Sequence, residues 1–271
     1  MLKDAKSIVF KVGTSTLTHR SGKLNLRRLE ELVQVLADLM NEGIRVTLVT
    51  SGAIGVGVGK LGLRERPGDT AGKQAAATVG QCELMYIYDK LFAQYGYNVG
   101  QLLITREDVE DPRRHGNLVQ TFDQLFRMGV LPIINENDAV AVEEIVYGDN
   151  DSLSAVVAVL IRADALVILT ETDGLYTANP ERDPTAKRIP LVREITEEIR
   201  ACAGGAISGQ GTGGMVTKVH AAEIAAAAGI DTYVLNGADP KAIYRLRDGE
   251  DLGTRATHKV PRNPGLPREE H

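Results

Sequence analysis

The sequence contains no tryptophan, only four phenylalanines and eight tyrosines, and just two cysteines in 271 residues. With aromatics at 4%, a core has to be assembled from Val, Ile, Leu and Ala, the composition of parallel strands covered on both faces by helices. Cys82 and Cys202 lie far apart with no metal-ligand spacing, which fits a reduced, cytoplasmic setting. No stretch approaches the ~20 apolar residues of a membrane span, and Met1 to Lys6 is polar, without a signal-peptide apolar region. Positive charge is also lacking. Lys and Arg total 31 against 36 Asp and Glu, a formal net charge of -5, whereas nucleic acids and anionic membranes demand a concentrated basic surface. His19, His115, His220, His258 and His271 show neither metal-ligand spacing nor a Ser–His–Asp arrangement.

What the chain does have is an alternation. Short apolar runs at Ile8–Val12, Arg45–Thr50, Asn98–Ile104, Leu131–Ile134, Ala165–Thr170 and Thr232–Leu235 read as buried strands, most of them followed by Gly or small polar residues and then a helical pattern. Leu26, Leu29, Leu32, Val33, Leu36, Leu39 and Met40 recur at helical spacing, with Gly43 as the residue just past the helix end. Leu118, Phe122, Leu125 and Phe126 repeat the pattern before Gly129, and Gln74 to Phe92 reads as another helix. Strand and helix in alternation predict an α/β fold, a three-layer αβα sandwich around a mainly parallel open sheet. Residues 139–149 carry β-prone stretches and residues 172–214 are rich in Gly, Pro, Asp and Thr; both read as active-site loops and hairpins. One domain over residues 1–258 is expected, with 259–271 a disordered tail.

In such sheets ligands bind beyond the carboxyl ends of the strands, and the polar residues of this chain gather there. Lys11 interrupts an apolar strand and precedes Gly13-Thr14-Ser15, where a glycine admits a phosphate to backbone and hydroxyl donors. A lysine snorkelling from a strand end is the plainer alternative. After the second run come Thr50, Ser51, Gly52, Ala53 and Gly55. Asn135, Glu136, Asn137 and Asp138 follow the fourth, and Thr170, Glu171, Asp173 and Gly174 the fifth. Gly211-Thr212-Gly213-Gly214-Met215-Val216-Thr217-Lys218 leads into a helix, whose opening N–H groups with a mobile ammonium make an anion site, unless this is an ordinary surface loop. Gly148-Asp149-Asn150-Asp151-Ser152 opens another helix, where one acidic residue would serve as a cap but several acceptors together point to a ligand.

Familiar nucleotide fingerprints fit poorly. Gly57-Val58-Gly59-Lys60-Leu61-Gly62 and Gly209 to Gly214 both match G-x-G-x-x-G, yet neither opens a compact strand–helix–strand unit closed by an acidic residue. Lys60 is followed by Leu61, so there is no P-loop. Cys82, inside a helical stretch, reads as a small buried hydrophobe.

These strings resemble the glutamate 5-kinase family, within the amino-acid kinase fold. The matching stretches are Lys11 to Ser15, Val49 to Ile54, Ile134 to Asp138, Gly148 to Asp151, Asp173 to Thr177 and Gly211 to Lys218, in the family's order over residues 5 to 257. The resemblance implies ATP-dependent phosphorylation of the γ-carboxylate of L-glutamate. It implies that Lys11 and Lys218 act on the transferring phosphoryl group, with Asp151 positioning them. Ser51, Gly52, Ala53, Asp138 and Asn150 are implied at the glutamate. Lys11, Gly13, Thr14, Ser15, Thr170, Glu171, Tyr176 and the loop Thr212, Gly213, Gly214, Met215, Val216, Thr217 and Lys218 are implied at the nucleotide, with Mg²⁺ carried on the ATP phosphates and no metal site on the protein. Proline as a feedback inhibitor, coupling to a glutamyl-5-phosphate reductase and a homo-oligomer are implied as well. Glu171 stands where an Asp is common, and Asn179 where an Asp often precedes Pro180. Many bacterial members carry a further PUA domain after the kinase domain. Kinases of the same fold acting on acetylglutamate, aspartate or UMP are the alternatives, and a non-catalytic nucleotide or amino-acid sensor is another.

Overall fold

The computed structural model describes residues 2–19, 23–140, 150–178, 180, 183–204 and 214–257. Among them the apolar runs become β1 (Ser7–Val12), β2 (Arg45–Val49), β3 (Val99–Ile104), β4 (Leu131–Glu136) and β5 (Ala165–Thr170). Three two-residue strands follow, β6 (Leu175–Tyr176), β7 (Arg188–Ile189) and β8 (Leu191–Val192), then β9 (Asp231–Asn236) and β10 (Thr254–Ala256). Eight of these form one sheet in the order β3-β4-β2-β1-β5-β9-β10-β8, and β6 pairs with β7 in a separate ribbon. From β3 through β9 every pairing is parallel; β10 runs antiparallel to β9.

Helices cover both faces. They are α1 (Thr14–Leu17), α2 (Leu26–Asn41), α3 (Ala53–Leu61), α4 (Thr70–Ala93), α5 (Arg106–Glu110), α6 (Pro112–Arg127), α7 (Asn150–Leu160), α8 (Glu197–Gly204), α9 (Met215–Ala227) and α10 (Ala242–Arg247). In α2 the expected stripe of Leu29, Leu32, Val33, Leu36 and Leu39 is buried, the Asn25 side chain caps the start by accepting from the Arg28 N–H, and Gly43 past the end has φ 80°. Alternation along β1 sorts its side chains between two cores. Ile8, Phe10 and Val12 join α2, α3 and α4 on one face; Val9 joins α6, α7 and α9 on the other. Lys11 has the parity of Val9, and period two therefore directs it to the face covered by α7.

Two glycines let α3 and α4 touch backbone to backbone. A Cβ on Gly57 would fall 1.8 Å from the Ala76 carbonyl oxygen, and one on Gly80 1.8 Å from that of Ala53. Gly57 of the G-x-G-x-x-G string is thus a packing residue inside a helix. Cys82 departs from expectation: it is exposed. Helical spacing explains this, because the buried stripe of α4 runs through Ala77, Gln81, Leu84, Tyr88 and Leu91 and position 82 falls beside it. Residues 141–149 and 259–271 lie outside the described residues. The segment 172–214 holds the β6–β7 ribbon and β8, and also helix α8, hidden in sequence by its turn-rich surroundings.

Candidate active site

The carboxyl ends of β4, β2, β1, β5 and β9 share one edge of the sheet. At that edge Asp151, in the first turn of α7, is fully buried, near the positive end of its helix. Lys11 Nζ lies 2.6 Å from its Oδ1 and Lys218 Nζ, in the first turn of α9, 3.1 Å from its Oδ2. Thr217 Oγ1 stands 2.8 Å from the same Oδ2, and Lys218 Nζ also lies 3.4 Å from the carbonyl of Gly214, the N-cap of α9. The lysine side chains are 8% and 6% exposed. Lys11 therefore does not snorkel.

Burial alone would raise the Asp151 pKa. The charges of Lys11 and Lys218 outweigh it, helped by hydrogen bonds from Lys11 and Thr217, and hold the carboxyl below its ordinary value. Among the described residues, two ammoniums share one carboxylate in this water-poor place. Such a place favours an incoming anion.

A chain of amides runs away from this cluster. Asn150 Nδ2 is 2.6 Å from the Thr50 carbonyl, 2.9 Å from Ser51 Oγ and 2.8 Å from Asn135 Oδ1, so its side chain ties strand ends together rather than accepting as a cap. Asn135 Nδ2 donates in turn to Gln81 Oε1 at 2.8 Å. Thr50 Oγ1 meets the hydroxyl of Tyr88, a phenol whose pKa burial pushes up. Asp138, half-buried in the turn after β4, has a carboxyl that burial raises, opposed by Arg66.

Gly13 caps the four-residue α1, whose opening amides at Thr14 and Ser15 have no acceptor within the helix. Gly52 takes φ 93°, and a Cβ there would come 3.2 Å from Thr14 Cγ2, so the turns after β1 and β2 press together. Ala53 is buried at the start of α3. The Thr170 carbonyl accepts the Gly237 N–H at 2.7 Å and the Glu171 carbonyl accepts from Asn236 Nδ2 at 3.2 Å, joining the ends of β5 and β9. Tyr176 stands on β6 with its hydroxyl donating to Asp173 Oδ1 at 2.6 Å, which raises its pKa. Met215 packs against the small apolar cluster that includes Leu175 and Ala222, and Val216 is exposed. Gly148, Asp149, Asn179, Gly211, Thr212 and Gly213 lie outside the described residues. Sequence reading missed Gln81. Its signal was present: a polar residue at helical spacing between Ala77 and Leu84, where apolar side chains belong.

A parallel sheet with two lysines drawn onto one buried carboxylate at its carboxyl edge, and no Walker loop, defines a small-molecule kinase. A profile of the amino acid kinase family matches residues 6–236. The glutamate 5-kinase of Clostridium perfringens (strain 13 / Type A) is 51% identical over 257 residues, which cover 93% of this chain and 96% of that one. The glutamate 5-kinase of Moorella thermoacetica is 53% identical over 253 residues, covering 93% and 67%. Among solved structures, the UMP kinase of Bacillus anthracis superposes with TM-score 0.63 at 17% identity over 94% of this chain and 97% of that one. The carbamate kinase of Giardia lamblia bound to AMP-PNP gives 0.64 at 17% over 94% and 99%. These two distant likenesses show the fold. The chain belongs to the amino acid kinase family and, within it, to the glutamate 5-kinases.

Proposed function

We infer that the chain transfers the terminal phosphoryl group of ATP to the γ-carboxylate of L-glutamate, giving L-glutamyl 5-phosphate, the first step of proline biosynthesis. The observation that carries this reading is one buried carboxylate, Asp151, holding both Lys11 and Lys218, at 2.6 and 3.1 Å. A glutamate side chain has a reference pKa near ~4.3 and is an anion at neutral pH. Its oxygen attacks Pγ directly; the new O–P bond forms as the bond from Pγ to the ADP oxygen breaks, and no proton has to move. Catalysis then reduces to aligning two anions and cancelling their repulsion.

The residues divide that work. Lys11 and Lys218 neutralise the transferring group, with Asp151 fixing where each ammonium sits. Backbone N–H groups at Gly13, Thr14 and Ser15 take phosphate oxygens. Ser51, Gly52, Ala53 and Asn150 hold the reacting carboxylate, and Asp138 takes the α-ammonium. Thr170, Glu171, Tyr176 and the segment Thr212 to Lys218 hold the nucleotide. Magnesium would be carried on the ATP phosphates, since Asp151 already has an ammonium on each oxygen. Bound there, Mg²⁺ supplies further neutralisation of phosphate charge.

The test is ADP release dependent on L-glutamate, with hydroxylamine trapping the acyl phosphate, against aspartate, acetylglutamate and UMP as acceptors. Turnover with one of those and not with glutamate overturns the reading. A proline titration in the same assay tests feedback inhibition, which a flat rate would remove.

A further inference from the structure

Two lysines meet Asp151, yet lysines alone do not fix how its carboxylate is turned. Each ammonium is a point charge at the end of a flexible four-carbon stem and can follow a rotating carboxylate. Thr217 differs. It is β-branched, hence stiff at χ1, and stands half-buried in the first turn of α9. Its Oγ1 lies 2.8 Å from Asp151 Oδ2 and 2.7 Å from the Gly214 carbonyl oxygen. Both of those oxygens only accept, and a hydroxyl has one proton to give. The carboxylate, held below its ordinary pKa and so ionised, has the stronger claim, because hydrogen bonds to an ionised acceptor are roughly twice as strong as neutral ones. The Gly214 carbonyl, being that of an N-cap, already opens the hydrogen-bond ladder of α9, and Lys218 Nζ lies 3.4 Å from it.

Asp151 Oδ2 therefore takes a hydroxyl and an ammonium from consecutive residues, Thr217 and Lys218, while Oδ1 faces Lys11 on β1. With one oxygen held by a stiff donor, the other oxygen and both ammoniums acquire defined places. We propose that Thr217 is a positioning residue, whose hydroxyl donates to Asp151 Oδ2, fixes the rotation of the carboxylate and through it sets Lys11 and Lys218 for the transferring phosphoryl group. The inference rests on the glutamate kinase reading above and gives the side chain of Thr217 a task apart from the nucleotide. Its N–H, among the first of α9, has no acceptor within the helix and is left for phosphate.

The experiment compares Thr217→Val with Thr217→Ser in the full chain. Val keeps the branched shape and exchanges the hydroxyl for a methyl; Ser keeps the hydroxyl and drops the methyl. Readouts are kcat, the KM values for ATP and L-glutamate, and the melting temperature across pH. Loss of a hydrogen bond to a charged group is expected to lower kcat about 10- to 100-fold in Thr217→Val, with both KM values within about threefold of wild type. Thr217→Ser should recover most of that loss. The melting curve gives a reading independent of turnover. Burial raises the Asp151 pKa, the charges of Lys11 and Lys218 outweigh it, and the Thr217 hydrogen bond adds to the lowering. Without that bond the folded pKa climbs toward the unfolded one, so the acid limb of stability should move to higher pH in Thr217→Val and not in Thr217→Ser. A raised ATP KM with unchanged kcat would place the hydroxyl on the nucleotide and overturn the assignment. So would equal kcat losses in the two variants, or an acid limb in Thr217→Val that coincides with wild type. A wild-type chain without glutamate turnover would instead remove the kinase reading itself, and this inference with it.

Discussion

Asp151→Asn removes one negative charge and almost no volume, and its consequences can be worked from the geometry. In the native site the carboxylate sits 2.6 Å from Lys11 and 3.1 Å from Lys218, and all three side chains are at most 8% exposed. Removing one partner of a buried ion pair typically costs about 3–5 kcal/mol. Here one carboxylate serves two ammoniums, which places the loss toward the upper end. At about 2–4 °C per kcal/mol for a chain of this size, the melting temperature should fall by roughly 6–20 °C. The ammoniums also lose their fixed positions, and kcat should drop about 10²–10³-fold, by analogy with the loss of one preorganised charge-stabilising donor. Scanning calorimetry and ADP release on the same preparation measure both effects. The sign of the pH dependence follows too. The folded pKa of Asp151 lies below the ordinary 3.8, so its stabilisation is complete above the unfolded value and is lost as pH falls through the folded one. Wild type should therefore lose its advantage over Asp151→Asn in that acid window. A variant melting within about 2 °C of wild type, with kcat within about threefold, would refute the reasoning.

Lys11→Ala and Lys218→Ala should each lower kcat about 10²–10³-fold while disturbing stability less than Asp151→Asn, since Asp151 keeps one ammonium; near-normal turnover in both would remove them from phosphoryl transfer. Asp138→Ala should raise the glutamate KM by about 10-fold or more with little change for ATP, and an unchanged KM would detach it from the substrate. Gly80→Ala puts a Cβ 1.8 Å from the Ala53 carbonyl; overpacking of this kind costs about 1–3 kcal/mol in urea denaturation and should raise the glutamate KM by moving Ser51 to Ala53. Asn150→Asp should harm glutamate turnover more than Asn150→Ala, because an anion would then face two oxygens that can only accept, the Thr50 carbonyl at 2.6 Å and Asn135 Oδ1 at 2.8 Å; the reverse order of severity would refute the donor role.

Much of this was legible in the sequence because parallel-sheet proteins write their buried strands as apolar runs. Lys11 was visible as the one charge inside such a run, and strand parity alone sends it to the α7 face. Gly43 and Gly129 announced helix ends and do take positive φ, 80° and 66°. Other features depend on what packs from a distance. Cys82 and Gln81 are sequence neighbours; only the direction of α4 decides that the first meets solvent and the second joins the buried stripe. The G-x-G-x-x-G string at 57–62 is uninformative locally, since its meaning at Gly57 comes from Ala76 across a helix crossing. Helix α8 was lost because eight residues flanked by turn-formers give too short a periodic signal.

Stability and catalysis here rest on the same atoms. Lys11 belongs to the central strand β1, Asp151 to α7 and Lys218 to α9, so the shared carboxylate fastens two helices to the sheet as well as placing two charges. Among the described residues two buried ammoniums share one carboxylate, and an anionic ligand would give them a second partner. Nucleotide should consequently raise the melting temperature of wild type by more than mass action on a neutral site of equal affinity, with a steep dependence on phosphate number. It should stabilise Asp151→Asn more still, because the triphosphate then stands in for the missing carboxylate. If ADP, ATP and adenosine shift the variant equally, the charges at positions 11 and 218 do not meet the phosphates, and the division of labour argued for this site fails.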